Sequence, residues 1–578
     1  MDPPGPDEPD EPAGPSPWWE RAALLVLAAV TAVLAGRAVL SSWVPISDNA
    51  LIELAVRDVP GHLPLVGAYS RLGWRHPGPA QVLLYAVPYR LLGSRSGALM
   101  ATTLVLHAVG IAGAWWMARR IHRLAAAMLL LALTLVLLAA DPAQVRSPWN
   151  PYVGLVLTAT AVTAAWSLAE RHRAGAVLLL PLVTLLVQAH VGYAAVGAVA
   201  VVAGVVGALA GRRRERPVPW RAGLWGAGVA ALMWLPPLVE QFRGGNLGDV
   251  VRFAFSGDEP AAGLGLAARV VSQQYAWWPE WAGGGADPGI LYLPSWAVPV
   301  LGLVVVAGVA AAVVRRSVPL VRGLAVVLVV QLAALLGASR IRGQFNDYLI
   351  VYRWPVAAMA LALSVAALVD LRRSWSAPAV RVASVLAAVG LLATGVVQWV
   401  VEDPEAGAGP AAVAAADVIA ARAGDRPPDR PVVVATVADF QGVALWAATV
   451  LQLERRGVPV RVTRLSEGAD MSSRYGAHRT SDADPGFLVA RPNATPALAA
   501  RGWVPVGGYQ PFTRGEQRRL ERWETERSRL GDPPPGSEEA ALSGAQRLAR
   551  ITTLTRRIDA LLAGRTPFLV FARDRPGR

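Results

Sequence analysis

Asp48 stands directly after the first long apolar run of the chain, where a carboxylate lies at the boundary of a lipid phase and is partly desolvated. A base in that position is well placed to take a proton from an acceptor hydroxyl. Behind it come His62, Tyr69, Arg71, Trp74, Arg75 and His76, in a segment that closes on Pro77 and Gly78. Arg71, Arg75, His62 and His76 can neutralise negative charge building on a phosphate leaving group. Each of these residues also has a plainer reading. Asp48 serves equally as a helix N-cap. Glu53 and Arg57, four apart on an expected helix, make an ordinary surface ion pair, although Glu53 and Asp58 stand as secondary acidic candidates. Asp58 before Val59, Pro60 and Gly61 can simply end that helix, the histidines can be hydrogen-bonded surface residues, and Trp74 with Pro77 and Gly78 can be an interfacial anchor and a turn.

Other polar groups fall at the same side of the expected membrane. Asn150 lies in the run Arg146, Ser147, Pro148, Trp149, Asn150, Pro151, and Gln188 and His190 lie just before Tyr193. Polar residues at membrane depth face a cavity or a partner helix, so these line a sugar or phosphate pocket or bond helix to helix. Trp234, Pro236, Pro237 and Glu240 end another apolar run. Arg340 and Arg342 stand where the charge rule disfavours arginine, which points to an anionic head group as partner, or to lipid phosphate held without specificity. Asp48, Glu53 and Asp58 do not share one helical face, so no metal site is expected. No cofactor is expected either, since no glycine fingerprint follows a strand and the chain has no lysine for a phosphate-binding loop.

These residues are carried by a polytopic membrane chain. Apolar residues make up 54% of the sequence and gather into runs long enough to cross a ~30 Å hydrocarbon core. About eleven spans are expected, near 22–40, 97–117, 124–140, 152–169, 174–189, 191–210, 221–239, 291–314, 318–338, 348–369 and 379–400. With the amino terminus in the cytoplasm, the arginine-dense loops at 119–123, 171–173, 212–216, 315–316 and 372–373 all fall inside. A long first loop (41–96), a second (240–290) and everything after 400 then fall outside. The segment 79–92 is apolar but too short to span, and reads as an amphipathic helix at the membrane surface. Residues 1–20 read as an acidic, disordered cytoplasmic tail without the basic start of a signal peptide.

After an Ala-, Gly- and Pro-rich linker at 401–430, a strand at 431–438, a helix at 441–456 and a strand at 458–462 make a β-α-β unit. A strand at 487–490, helices between 514 and 563 and a closing strand at 567–572 complete an outer α/β domain, 431–578. The formal charge is +14, but the arginines sit beside apolar runs rather than in a patch suited to nucleic acid. The absence of cysteine excludes disulfides and thiolate chemistry.

An acidic residue directly after the first span, a long first outer loop with a surface helix, many spans and a terminal domain outside resemble the GT-C superfamily of integral membrane glycosyltransferases, particularly bacterial relatives of protein mannosyltransferases and arabinose transferases. The segment 69–78, the Trp149, Asn150, Pro151 group and the Trp234, Pro236, Pro237 group are similar to actinobacterial membrane proteins of this kind. The resemblance implies a GT-C-like fold and transfer of a sugar from a polyprenyl-phosphate donor to a cell-envelope glycan or glycolipid, on the outer face of the cytoplasmic membrane. It implies Asp48 as base, with an arginine or histidine near the donor phosphate. Many such enzymes carry paired acids in this loop, whereas Asn49 follows Asp48 here. A transporter or flippase of lipid-linked molecules and a non-catalytic envelope assembly protein are the alternatives. The first would bring an internal repeat between the halves of the membrane region, and none is visible.

Overall fold

The computed structural model describes residues 17–70, 72–210, 217–256, 259–283, 294–401, 408–424, 430–436, 440–463, 475, 477–562, 565 and 567–573. The expected tail before residue 17, Arg71, the arginine loop 212–216 and parts of the expected linker and second outer loop lie outside them. The chain forms two compact units, one of Met1–Ser41 with Ala55–Glu402 and one of Ser42–Leu54 with Asp403–Arg578.

The first unit is helical. In chain order its helices are α1 (Trp18–Leu40), the end of α2 (Ser47–Asp58), α3 (Ala80–Leu91), α4 (Gly97–Arg119), α5 (Arg123–Ala139), the short α6 (Pro142–Arg146), α7 (Gly154–Ala169) and α8 (Arg173–Ala189). They continue as α9 (Ala194–Ala210), α10 (Trp220–Arg243), α11 (Asn246–Ser256), α12 (Gly263–Gln274), α13 (Val300–Val314), α14 (Val318–Ser339), α15 (Arg353–Asp370) and α16 (Arg373–Val400). Among the described residues seven helices are long and apolar enough to cross a membrane: α1, α4, Val191–Ala210, α10, α14, α15 and α16. The shorter apolar helices α5, α7, α8 and α13 occupy the remaining expected spans, and 17 residues of helix already cover about 26 Å. The protein is a multi-pass membrane protein.

Small residues let these helices approach closely. A Cβ on Gly110 of α4 would come 3.1 Å from Leu157 and Thr160 of α7, and the Thr160 hydroxyl donates across that gap to the Gly110 carbonyl at 3.0 Å. At one end of the bundle Glu20 of α1, 1% exposed, accepts from Arg119 at the end of α4 (2.9 Å) and from Arg123 at the start of α5 (2.6 Å). The segment expected as a surface helix is α3, whose face of Gln81, Val82, Tyr85, Ala86 and Tyr89 is buried. Tyr85 bonds the Thr103 hydroxyl of α4 at 2.8 Å.

The second unit is an α/β fold made of the start of α2, α17 (Gly409–Ala423), β1 (Val432–Thr436), α18 (Phe440–Arg455), β2 (Val460–Thr463), β3 (Thr480–Ser481), β4 (Phe487–Ala490), α19 (Thr495–Ala499), β5 (Trp503–Tyr509), α20 (Arg514–Gly531), α21 (Glu538–Ala541), α22 (Gly544–Leu562) and β6 (Phe568–Arg573). The sheet order is β3-β2-β1-β4-β6-β5. β1 to β4 run parallel, and β6 is antiparallel to β4 and β5. Every residue of β1 is buried, as a parallel strand covered on both faces requires.

Two expectations are corrected here. The supposed linker 401–430 contains α17, whose Ala411, Ala412, Ala415, Ala416 and Ile419 repeat at helical spacing and are fully buried in the core of this unit. Ala50 and Leu54, from the first outer loop, lie in the same core, so the start of α2 belongs to this unit rather than to the membrane region.

Candidate functional site

Asp48 sits in the first turn of α2, half-buried, behind Ser47 with a left-handed φ of 50°. Asn49 and Ala50 turn inward. Glu53 is not a surface residue: it is 0% exposed and pairs with Arg455 of α18. Burial of the neighbouring Ala50 and Leu54 draws the intervening helix face, and Glu53 with it, out of water. The expected surface pair with Arg57 is therefore the wrong description of Glu53. Arg57 donates to the Tyr89 hydroxyl at 3.3 Å. α2 ends at Asp58, and Arg90 caps its last turn by donating to the Arg57 and Val59 carbonyls at 2.6 and 2.7 Å.

In the membrane unit, residues 67–70 pair in hairpin fashion with residues 74–76. Gly67 donates to the His76 carbonyl and His76 to the Ala68 carbonyl, both at 2.9 Å, Ser70 donates to Trp74 at 3.0 Å, and Tyr69 bridges Arg75. Asn246 holds the hairpin's edge, accepting from the Arg75 N–H at 2.8 Å and donating to the Arg75 carbonyl at 3.0 Å. Glu240 in turn accepts from the Asn246 N–H at 3.1 Å. Burial lowers the Arg75 guanidinium pKa, against the opposing pull of Tyr69 and Glu240. Gly67 must be glycine because a Cβ would lie 2.7 Å from the Gly78 carbonyl and 2.9 Å from that of Gln188.

This hairpin brings His76 against His190, their ring centroids 4.5 Å apart, with Trp74 edge-on to His76 at 5.4 Å. The Val191 N–H donates to His76 Nδ1 at 3.2 Å and the Gly192 N–H to His190 Nδ1 at 3.1 Å. An Nδ1 that accepts leaves the proton on Nε2, so the site carries two neighbouring imidazole N–H donors without a formal charge. Such a pair suits a phosphoryl oxygen or a sugar hydroxyl. Burial holds both rings neutral: His190 falls to about 4, and His76 lies well below the usual histidine value through burial and the facing His190.

A depressed histidine pKa stabilises the fold at pH values above that of the unfolded chain, about 6.5, and the stability is lost as pH falls toward the folded value. Thermal stability is accordingly expected to be flat from pH 8 to about 7 and to drop progressively between about 6.5 and 4. His190→Gln should remove a large part of that drop. Melting curves across the range check it, and an unchanged drop in the variant would refute it.

Gln188 and Asn150 act as fasteners. Gln188 accepts from the Ala80 N–H of α3 at 3.2 Å and donates to the Met233 carbonyl of α10 at 2.8 Å. Asn150 donates to the Ala189 carbonyl at 2.9 Å. His62 is exposed. Arg340 is exposed at the end of α14, and Arg342 donates to the Glu259 carbonyl at 2.9 Å beside a bridge to Ala261.

A second polar centre was only partly visible in the sequence. Glu280, its side chain 8% exposed, accepts from Arg353 (3.0 Å), Gln274 (2.7 Å) and the Trp354 indole (3.3 Å). Arg353 also donates to the Asp347 carbonyl at 3.0 Å, and burial raises the Asp347 carboxyl pKa. Trp149 packs on Tyr348 with ring centroids 4.6 Å apart. Glu280 was not singled out from the sequence; a lone acid among Trp277, Trp278 and Trp281 is the signal that could have found it.

No protein-family model and no curated protein matches the chain. Its folded shape does have known counterparts. The chain folds like ArnT from Cupriavidus metallidurans. The crystal structure of apo ArnT superposes with a TM-score of 0.52 at 14% identity, over 84% of this chain and 95% of ArnT. The crystal structure of ArnT bound to undecaprenyl phosphate gives a TM-score of 0.49 at 14% identity, over 84% and 96%. The expected polytopic GT-C-like helical fold with an α/β part toward the carboxyl end is the fold found. The likeness to ArnT extends to the architecture alone.

Proposed function

We propose that the protein is a membrane glycosyltransferase that moves a sugar from a polyprenyl-phosphate donor to a cell-envelope glycan or glycolipid. The observation that carries this reading is the GT-C-like fold, shared with ArnT over 84% of the chain. In this reading the His76 and His190 N–H groups with Arg75, within the membrane unit, meet the oxygens of the departing phosphate, where donors aimed at developing charge have their largest effect. Asp48, in the second unit, is the candidate base for the proton of the acceptor hydroxyl. The arginine distribution supports a topology with the amino terminus in the cytoplasm and the carboxyl-terminal unit outside the cytoplasmic membrane.

The test offers the full chain in lipid a panel of polyprenyl-phosphate sugars with envelope glycan fragments, and follows release of polyprenyl phosphate. Acceptor-dependent release is the expected result. Movement of a lipid-linked substrate across the bilayer without release would replace the transferase reading by a transporter.

A further inference from the structure

α18 closes on three consecutive charged residues, each paired with a different element of the second unit. Glu454 accepts from Arg479 at 2.6 and 3.1 Å. Arg456, next after the helix, donates to Asp417 of α17 at 2.7 and 3.0 Å. Between them Arg455 donates to Glu53 of α2.

The last two pairs differ in their surroundings. Asp417 is 61% exposed, and ion pairs in water contribute little. Glu53 is 0% exposed and its arginine 25%, so removing Arg455 takes the paired cation from a carboxylate that water does not reach, which is costly. On the same stretch of α2, Ala50 and Leu54 are locked into the core with Ala412, Ile419, Trp446 and Leu451. The start of α2 is thus fixed both along its axis and in its rotation about it. Asp48 is five residues before Glu53, about 140° around the helix, which directs it away from the anchored face.

We infer that Arg455 is a positioning residue for Asp48. Acting through Glu53, it sets the rotation of α2 and hence the direction in which the Asp48 carboxylate is presented. The inference rests on the transferase reading in which Asp48 is the base. It gives the carboxyl-terminal unit a part in the reaction without contact between Arg455 and substrate. A displacement of about 1 Å at a reacting group costs on the order of 100-fold in rate, so loosening this anchor is felt in turnover rather than in donor affinity.

The test compares Arg455→Ala, Arg455→Lys and, as control on the same helix end, Arg456→Ala, all in the full chain in lipid. Arg455→Ala is expected to lower kcat by about 10- to 100-fold with KM for the donor within about twofold, and to speed amide exchange across residues 47–54. Arg455→Lys, which keeps the charge, should recover most of the rate and protection, and Arg456→Ala should change neither. If Arg455→Ala does not fold, Arg455→Lys carries the test, with a smaller loss of the same two quantities. Unchanged exchange at 47–54, a loss in KM instead of kcat, or an equal effect of Arg456→Ala overturns the proposal. Wild-type protein that consumes no donor overturns the transferase reading instead, and the exchange measurement still decides whether Arg455 holds the Asp48 segment.

Discussion

Asp48→Asn is expected to lower release of polyprenyl phosphate by about 100- to 10,000-fold, the span usual for loss of a general base, while donor binding and melting temperature stay at wild-type values. The substitution keeps size and hydrogen-bonding capacity but cannot accept the acceptor's proton. Asp48 is half-buried, so the neutral amide leaves no carboxylate-sized hole in the core. Glu53→Gln, at a site 0% exposed, should behave differently, lowering stability together with rate. Comparing the two variants by turnover and by calorimetry separates a base from an anchor. An Asp48→Asn protein as active as wild type would remove the base assignment.

Glu20→Ala is expected to have the largest effect on stability, about 3 kcal/mol. The carboxylate is 1% exposed and bridges Arg119, 12% exposed, and Arg123, 46% exposed. Its removal takes the buried carboxylate from Arg119, 12% exposed, whereas Arg123 regains water, so most of the loss comes from the first pair. Arg123→Ala should therefore cost less than half as much as Arg119→Ala, since exposed partners are screened. Reversible unfolding in mixed micelles measures all three. Equal losses for the two arginine variants would mean that the bridge contributes through packing of their stems rather than through charge.

Hydropathy made the membrane architecture legible, because a lipid phase demands unbroken apolar runs and each expected span meets a helix. Phe487–Ala490 was equally plain, a short apolar run bounded by Gly486 and Arg491. β5 was missed: Pro505, Gly507 and Gly508 are residue types that weaken a strand pattern. The two glycines are required there by close contact: a Cβ on Gly507 would come 2.7 Å from Val418 of α17, and one on Gly508 2.5 Å from the Phe568 carbonyl, while the strand carries an irregularity between Pro505 and Gly507. α17 was missed because alanine gives little hydropathic contrast, yet small side chains are what a helix packed this tightly needs. In the candidate site, residue types were legible and partnerships were not. His76 and His190 lie more than a hundred residues apart, and Glu53 and Arg455 some four hundred, separations that no local pattern reports.

That last separation governs how the chain is made. Ser42–Leu54 leaves the ribosome among the first segments, while the strands and helices that complete its core come only after the last membrane helix. At about 5–20 residues per second, the Asp48 segment waits on the order of twenty seconds to more than a minute for its partners. During that time Ala50 and Leu54 have no native cover and Glu53 has no Arg455. Assembly of the second unit is therefore a late, long-range closure, and an incomplete chain that has already inserted its helices cannot yet present Asp48 in its final setting.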